Sequence, residues 1–203
     1  MVKWISQQSS ELLLQVRVLP EALSVTKCYN YIMFSDPSSN LAKLGINDGM
    51  RVVDLGAGSG FYSFETAKRV GTSGRVYAVD VQKDLLERLR SAGANQGLRN
   101  IEVIWGNAEK IGGTKLREGI ADRVIASNVL SQIEKPDSFV LEIKRILKPD
   151  GKVLLIDWSE VSNLSPKHTV PVTTARVLFE KSGFKLDQSF DAGDHHYGMV
   201  FMR

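Results

Sequence analysis

The chain has 203 residues, 43% hydrophobic and 24% charged, enough for one α/β domain with a true core and ordinary for a soluble globular protein. Its 26 basic and 23 acidic residues leave a formal net charge of +3, too small to argue for a nucleic-acid or membrane partner. Cys28 is the single cysteine, which excludes an internal disulfide. The early apolar cluster Leu12-Leu13-Leu14 is far too short for a signal peptide or a membrane span, so a cytoplasmic location is expected.

Residues 1–48 read as a helical N-terminal extension and candidate lid, with breaks at Pro20 and at Asp36-Pro37; residues 49–203 form the main domain. From Arg51 onward, short apolar runs alternate with amphipathic segments. Strands are predicted at Arg51–Leu55, Arg75–Asp80, Ile101–Trp105, Ala121–Ser127 and Lys152–Trp158. Helices are predicted at Phe61–Val70, Lys83–Asn95, Pro136–Leu147 and Thr173–Ser182, with Pro136 opening one and Lys148-Pro149-Asp150-Gly151 stopping it. Phe184–Phe190 and Tyr197–Arg203 read as a closing hairpin. This alternation predicts a mostly parallel sheet covered on both faces, with ligands at the carboxyl ends of its strands.

Val52-Val53-Asp54-Leu55-Gly56-Ala57-Gly58-Ser59-Gly60 is the most informative segment. A strand runs into a glycine-rich turn and then a helix N-terminus, where backbone can approach a ligand closely. The glycines fall as G-x-G-x-G, and Phe61 stands where the dinucleotide fingerprint G-x-G-x-x-G requires its third glycine. Asp54 before the turn would repel a pyrophosphate but suits an ammonium group. A nucleoside joined to an amino acid fits better than a dinucleotide.

Other candidates sit at strand ends. Asp80, twenty residues beyond Gly60, can accept hydrogen bonds from both hydroxyls of a ribose, at ~1.5–3 kcal/mol per charge-assisted bond. Asn107-Ala108 follow the third strand and can flank an adenine, although Gly106-Asn107 also favours a simple turn. Ser127-Asn128 end the fourth strand and face the amino-acid end of such a ligand; Ser127 equally suits a helix N-cap.

With these residues in place the chain resembles the class I S-adenosylmethionine-dependent methyltransferases, of the small-molecule, ubiquinone/menaquinone-biosynthesis-like type. The resemblance spans roughly Phe34 to Arg203. It is carried by Val52–Gly60, Val76–Asp80, Gly106–Ala108, Asp122–Asn128 and Leu147-Lys148-Pro149-Asp150-Gly151-Lys152-Val153. It implies a Rossmann-like doubly wound α/β sheet of seven strands, mostly parallel with an antiparallel last strand, and helices on both faces. It also implies S-adenosyl-L-methionine as cofactor. Asp54 and the loop Gly56, Ala57, Gly58, Ser59 and Gly60 would hold the methionine part. Asp80 would hold the ribose, Asn107 and Ala108 would flank adenine, and Ser127 and Asn128 would lie near the methionine end. Val81 would pack on adenine, less well than the larger apolar residue often found there.

Methyl transfer from a sulfonium is an in-line displacement in which alignment can supply ~7–11 kcal/mol, so no catalytic motif is required. A general base is needed only if the acceptor must lose a proton; the candidates are His195, His196 and Asp157. Asp194, His195 and His196 diverge along a hairpin, so no metal is expected there. Tyr31 and Phe34 of the extension can cover the cofactor or simply pack. No Asn/Asp-Pro-Pro-aromatic tract follows the fourth strand and no Pro-Cys nucleophile exists, which argues against base-modifying enzymes. A lone cysteine argues against arsenite methylation. The expected acceptor is therefore a small molecule. The alternatives are a protein or RNA acceptor, or a cofactor-binding protein without transfer activity.

Overall fold

The computed structural model describes residues 36–159, 166 and 168–203, so Tyr31, Phe34 and Cys28 lie outside the described residues. Asp36 opens the first described helix, α1 (Pro37–Leu44), by accepting from the amides of Ser38 and Ser39; proline follows at the first helical position. Helix α1 falls in the span read as an extension. Its Leu41 and Leu44 are nevertheless buried in the same cluster as Val52, Val76 and Ile125 of the sheet.

The remaining elements are β1 (Arg51–Leu55), α2 (Phe61–Val70), β2 (Arg75–Asp80), α3 (Lys83–Asn95), β3 (Ile101–Trp105), β4 (Ala121–Ser127), α4 (Pro136–Ile146), β5 (Leu147–Trp158), α5 (Val172–Lys181), β6 (Lys185–Gly193) and β7 (His196–Met202). A single 3-10 turn, Leu130–Gln132, follows β4. The seven strands form one sheet in the order β3-β2-β1-β4-β5-β7-β6. All neighbouring pairs are parallel except those made by β7, which runs antiparallel to both β5 and β6. The expected fold class is the one observed. The order reverses between β1 and β4, which is the switch point where such sheets open a crevice.

Strand alternation divides the core in two. On one face Val53, Leu55, Val124, Ala126, Val153, Leu155, Met199 and Phe201 pack against Phe139, Val140 and Ile143 of α4 and Phe179 of α5. On the other, Val52, Val76, Ile125, Leu154, Ile156 and Val200 meet α1 and Tyr62, Ala67 and Val70 of α2. The central strands are buried on both faces, which explains their continuous apolar runs.

Two boundaries differ from expectation. Helix α4 stops at Ile146, and Leu147 is already extended (φ −71°, ψ 145°) and pairs with Ala121. Pro149 keeps Lys148 out of the helical region, so the Lys-Pro-Asp-Gly tract joins β5 through a register shift rather than ending a helix. The terminal hairpin is also longer than its hydrophobic pattern suggests. Gly193 pairs with His196, leaving only Asp194 and His195 in the turn, with His195 at φ 60°.

Candidate cofactor and substrate site

The glycine loop leaves β1 by hydrogen bonding to β2: the amides of Gly56 and Ala57 both donate to the Val79 carbonyl, at 2.9 and 3.1 Å. Gly56, Gly58 and Gly60 all have positive φ, at 70°, 52° and 97°. Their roles separate on what a side chain would meet. A Cβ on Gly56 would stand 2.8 Å from Val129, and one on Gly60 would stand 2.7 Å from Phe64 and 2.8 Å from Leu89. A Cβ on Gly58 meets nothing closer than the Gly56 carbonyl oxygen at 3.9 Å. Gly56 and Gly60 are therefore required by packing, whereas Gly58 keeps open the space above the loop. Gly60 is the N-cap of α2, and no side chain caps that helix end.

Asp80 ties the loop to β2. Its Oδ2 accepts from the Gly58 amide at 2.9 Å and its Oδ1 from the Gln82 amide at 2.8 Å. A carboxylate offers about four acceptor positions, so one on each oxygen remains for a vicinal diol. Asp54 lies beneath the loop, 2% exposed, and accepts from the Ser63 hydroxyl at 2.6 Å. Burial pushes its carboxyl up to about 7; the Ser63 bond opposes the rise and the nearby Asp80 charge adds to it. Ser63 was not singled out in the sequence, although its place in the first turn of α2 puts it over the end of β1.

Beyond Asp80, Val81 is half-exposed, and the Trp105 indole N–H donates to its carbonyl at 3.0 Å. Trp105 is the register partner of Asp80, and the Lys83 and Lys115 ammonium groups stand 4.1 and 5.0 Å from its ring centroid. Sequence reasoning missed this residue. Its position as the last residue of a strand parallel to the Asp80 strand was the available signal. The Asn107 Oδ1 accepts from the Glu109 amide at 2.8 Å, so the turn uses one of its two acceptor positions and holds the side chain in place. Ala108 packs against the main core cluster.

At the other end, Ser127 closes β4 and caps no helix, since α4 starts at Pro136 after Lys135. Asn128 adopts φ 55°, a conformation that asparagine tolerates, and its amide donates to the Ile156 carbonyl at 2.9 Å. Asn128 Oδ1 and His196 Nε2 are buried with no hydrogen-bond partner. A buried acceptor left unpaired costs ~1–3 kcal/mol.

The candidate catalytic residues separate. Asp157 is fully buried and accepts from the Leu130, Ser131 and Trp158 amides at 2.9, 3.3 and 2.8 Å. Burial raises its pKa against those bonds, and its role is to anchor the loop after β4. His195 is exposed in the hairpin turn. His196 is 3% exposed, and its ring lies 4.2 Å from that of Trp158. No group of three metal-ligating side chains occurs among the described residues, and no helix among them is long and apolar enough to cross a membrane.

The family described as "Methyltransferase domain" matches residues 46–195. A ubiquinone/menaquinone biosynthesis C-methyltransferase of Hydrogenovibrio crunogenus is 32% identical over 119 residues, covering 58% of this chain and 46% of its own length. A demethylmenaquinone methyltransferase of Lactococcus lactis is 29% identical over 122 residues, covering 60% of this chain and 47% of its own. This chain thus spans just under half the length of those relatives. A crystal structure of an S-adenosylmethionine-dependent methyltransferase from Aquifex aeolicus superposes with a TM-score of 0.77 at 28% identity, over 83% of this chain and 90% of that one. The chain belongs to the methyltransferase domain family.

Proposed function

We propose that this chain transfers the methyl group of S-adenosyl-L-methionine to a small-molecule acceptor by in-line displacement. The observation that carries the proposal is the Gly58–Asp80 link. It fixes an open-sided glycine loop against a strand-terminal carboxylate that retains an acceptor position on each oxygen. Asp80 would hold the ribose hydroxyls. Gly56, Ala57, Gly58, Ser59 and Gly60 would lie along the methionine part, and the unpaired Asn128 Oδ1 would accept from its ammonium group, with Ser127 beside it. Asp54 would balance the cationic charge from below. Val81, Asn107 and Ala108 would bound the adenine, with the Trp105 ring at its edge. The bound cofactor supplies an electrophilic methyl group; the protein aligns it and excludes water.

The relatives named for quinone biosynthesis make an aromatic, quinol-type acceptor the first class to test. A small-molecule acceptor also accords with the net charge of +3. The test is a metabolite screen with S-adenosylmethionine labelled in its methyl group. Label recovered in a small molecule supports the proposal. Label recovered in RNA or protein instead overturns the choice of acceptor, and absence of cofactor binding overturns the whole reading.

A further inference from the structure

Alternation along the paired strands places a set of polar groups on one face of the sheet at its carboxyl edge. Asp54 follows Val52, Ser127 follows Ile125, Trp158 follows Ile156, and His196 precedes Val200 by four residues. Those four apolar residues share one core cluster, so Asp54, Ser127, Trp158 and His196 share its side of the sheet. Ser127 is in register with Ile156, Ile156 with Gly198, and Trp158 with His196. His196 therefore lies two strand spacings from Ser127, ~10 Å across the sheet, and two residues further toward the crevice.

The His196 ring is fixed in one protonation pattern. Its Nδ1 is 2.6 Å from the Asp194 carbonyl oxygen, which can only accept, so Nδ1 carries the proton. Nε2 is then a bare lone pair, and it is buried with no partner. The ring is held against Trp158, with centroids 4.2 Å apart and planes tilted by 41°. A histidine filling space needs neither feature. A donor-poised Nδ1 with an unsatisfied Nε2 is the arrangement of a general base awaiting an acidic proton.

We infer that His196 is the catalytic base: its Nε2 takes the proton from a planar, weakly acidic hydroxyl acceptor as that acceptor is methylated. This assignment rests on the methyl-transfer reading above. The acceptor's bond to the methyl carbon forms as the carbon–sulfur bond breaks. The electron pair leaves with sulfur, the acceptor's proton passes to Nε2, and the imidazolium later returns it to water. Burial lowers the basicity of His196, and His195 lowers it further. The Asp194 backbone and side chain oppose this, and Trp158 presents only a neutral ring from β5. Activity should therefore rise with pH through a midpoint below the 6.5 of a free imidazole.

The test uses the full chain, with S-adenosylhomocysteine and hydroquinone as probes. Calorimetry with S-adenosylhomocysteine comes first; no binding by the wild type overturns the methyl-transfer reading and this assignment with it. Nitrogen NMR of 15N-histidine-labelled protein should then show an unprotonated Nε2 at His196. That resonance, identified by its absence from the His196→Gln spectrum, should move when hydroquinone is added to the S-adenosylhomocysteine complex. Transfer from tritiated S-adenosylmethionine to hydroquinone should fall 100-fold or more in His196→Gln, with cofactor affinity unchanged within twofold and partial rescue by free imidazole. Three results overturn the assignment in a protein that binds S-adenosylhomocysteine: a protonated Nε2; an Nε2 resonance indifferent to hydroquinone with no methylation of it; or a His196→Gln variant with wild-type rate and pH profile.

Discussion

Asp54 gives the sharpest quantitative test of the proposed cofactor site. Its carboxyl sits 2% exposed beneath the glycine loop, raised by burial from 3.8 to about 7, so near pH 7 about half of the free protein holds it neutral. A cation lodged above the loop, whether ammonium or sulfonium, stabilises the ionised form and draws the proton off. The sign follows from linkage: a ligand that binds better to the deprotonated state binds more tightly as pH rises, until the free group is itself fully ionised. With a free value of about 7 and a bound value well below 5.5, the fraction available for binding rises from about 1 in 33 at pH 5.5 to about 1 in 2 at pH 7.0. The dissociation constant for S-adenosylmethionine should therefore fall about 16-fold across that interval, which lies below the titration of the cofactor's own amine. Calorimetry in buffers of different ionisation heat should also detect release of about half a proton per cofactor at pH 7. Asp54→Asn should flatten the pH dependence while keeping a side-chain acceptor for the Ser63 hydroxyl. A dissociation constant constant within twofold from pH 5.5 to 7.0, or the same slope in Asp54→Asn, would refute the reasoning.

Three further outcomes follow. Asp80→Ala should weaken cofactor binding by ~1.5–3 kcal/mol, because it removes a charged acceptor and frees the Gly58 amide that the acceptor holds; unchanged affinity by calorimetry would exclude the ribose role. Gly58→Val should abolish cofactor binding at a folding cost of only ~1–3 kcal/mol for its φ of 52°. Gly60→Val, which collides with Phe64 and Leu89, should instead show its main effect as lost stability in thermal melts; identical behaviour of the two variants would contradict the separation of roles. Asp157→Ala should lower stability by roughly 1–3 kcal/mol for each buried amide it leaves unpaired among Leu130, Ser131 and Trp158, read by chemical denaturation; a change below 1 kcal/mol would remove its anchoring role.

Periodicity and spacing alone determined the alternation of strands and helices, the closing hairpin and the positions of Asp54, the glycine loop and Asp80, because these are local signals. An apolar run buried on both faces, a turn that only glycine can make and an acid at a strand end are each written in consecutive residues. Tertiary structure decided what those residues do to one another. Asp80 holds Gly58 from 22 positions away, and Asp54 is masked by Ser63. Asp157 turns out to anchor the loop after β4, and Ser127 caps no helix; both outcomes depend on where the 130s loop packs, which no short-range pattern encodes. Trp105 stands beside Asp80 only because parallel pairing set it there. The contrast is clearest at Asp194-His195-His196, three adjacent polar residues that the sequence could not tell apart. Pairing of Gly193 with His196 sends His195 to solvent and buries His196 beside Trp158. Chain neighbours supply the chemistry of a side chain, but its protonation, burial and unmet hydrogen bonds are set by partners far away in sequence.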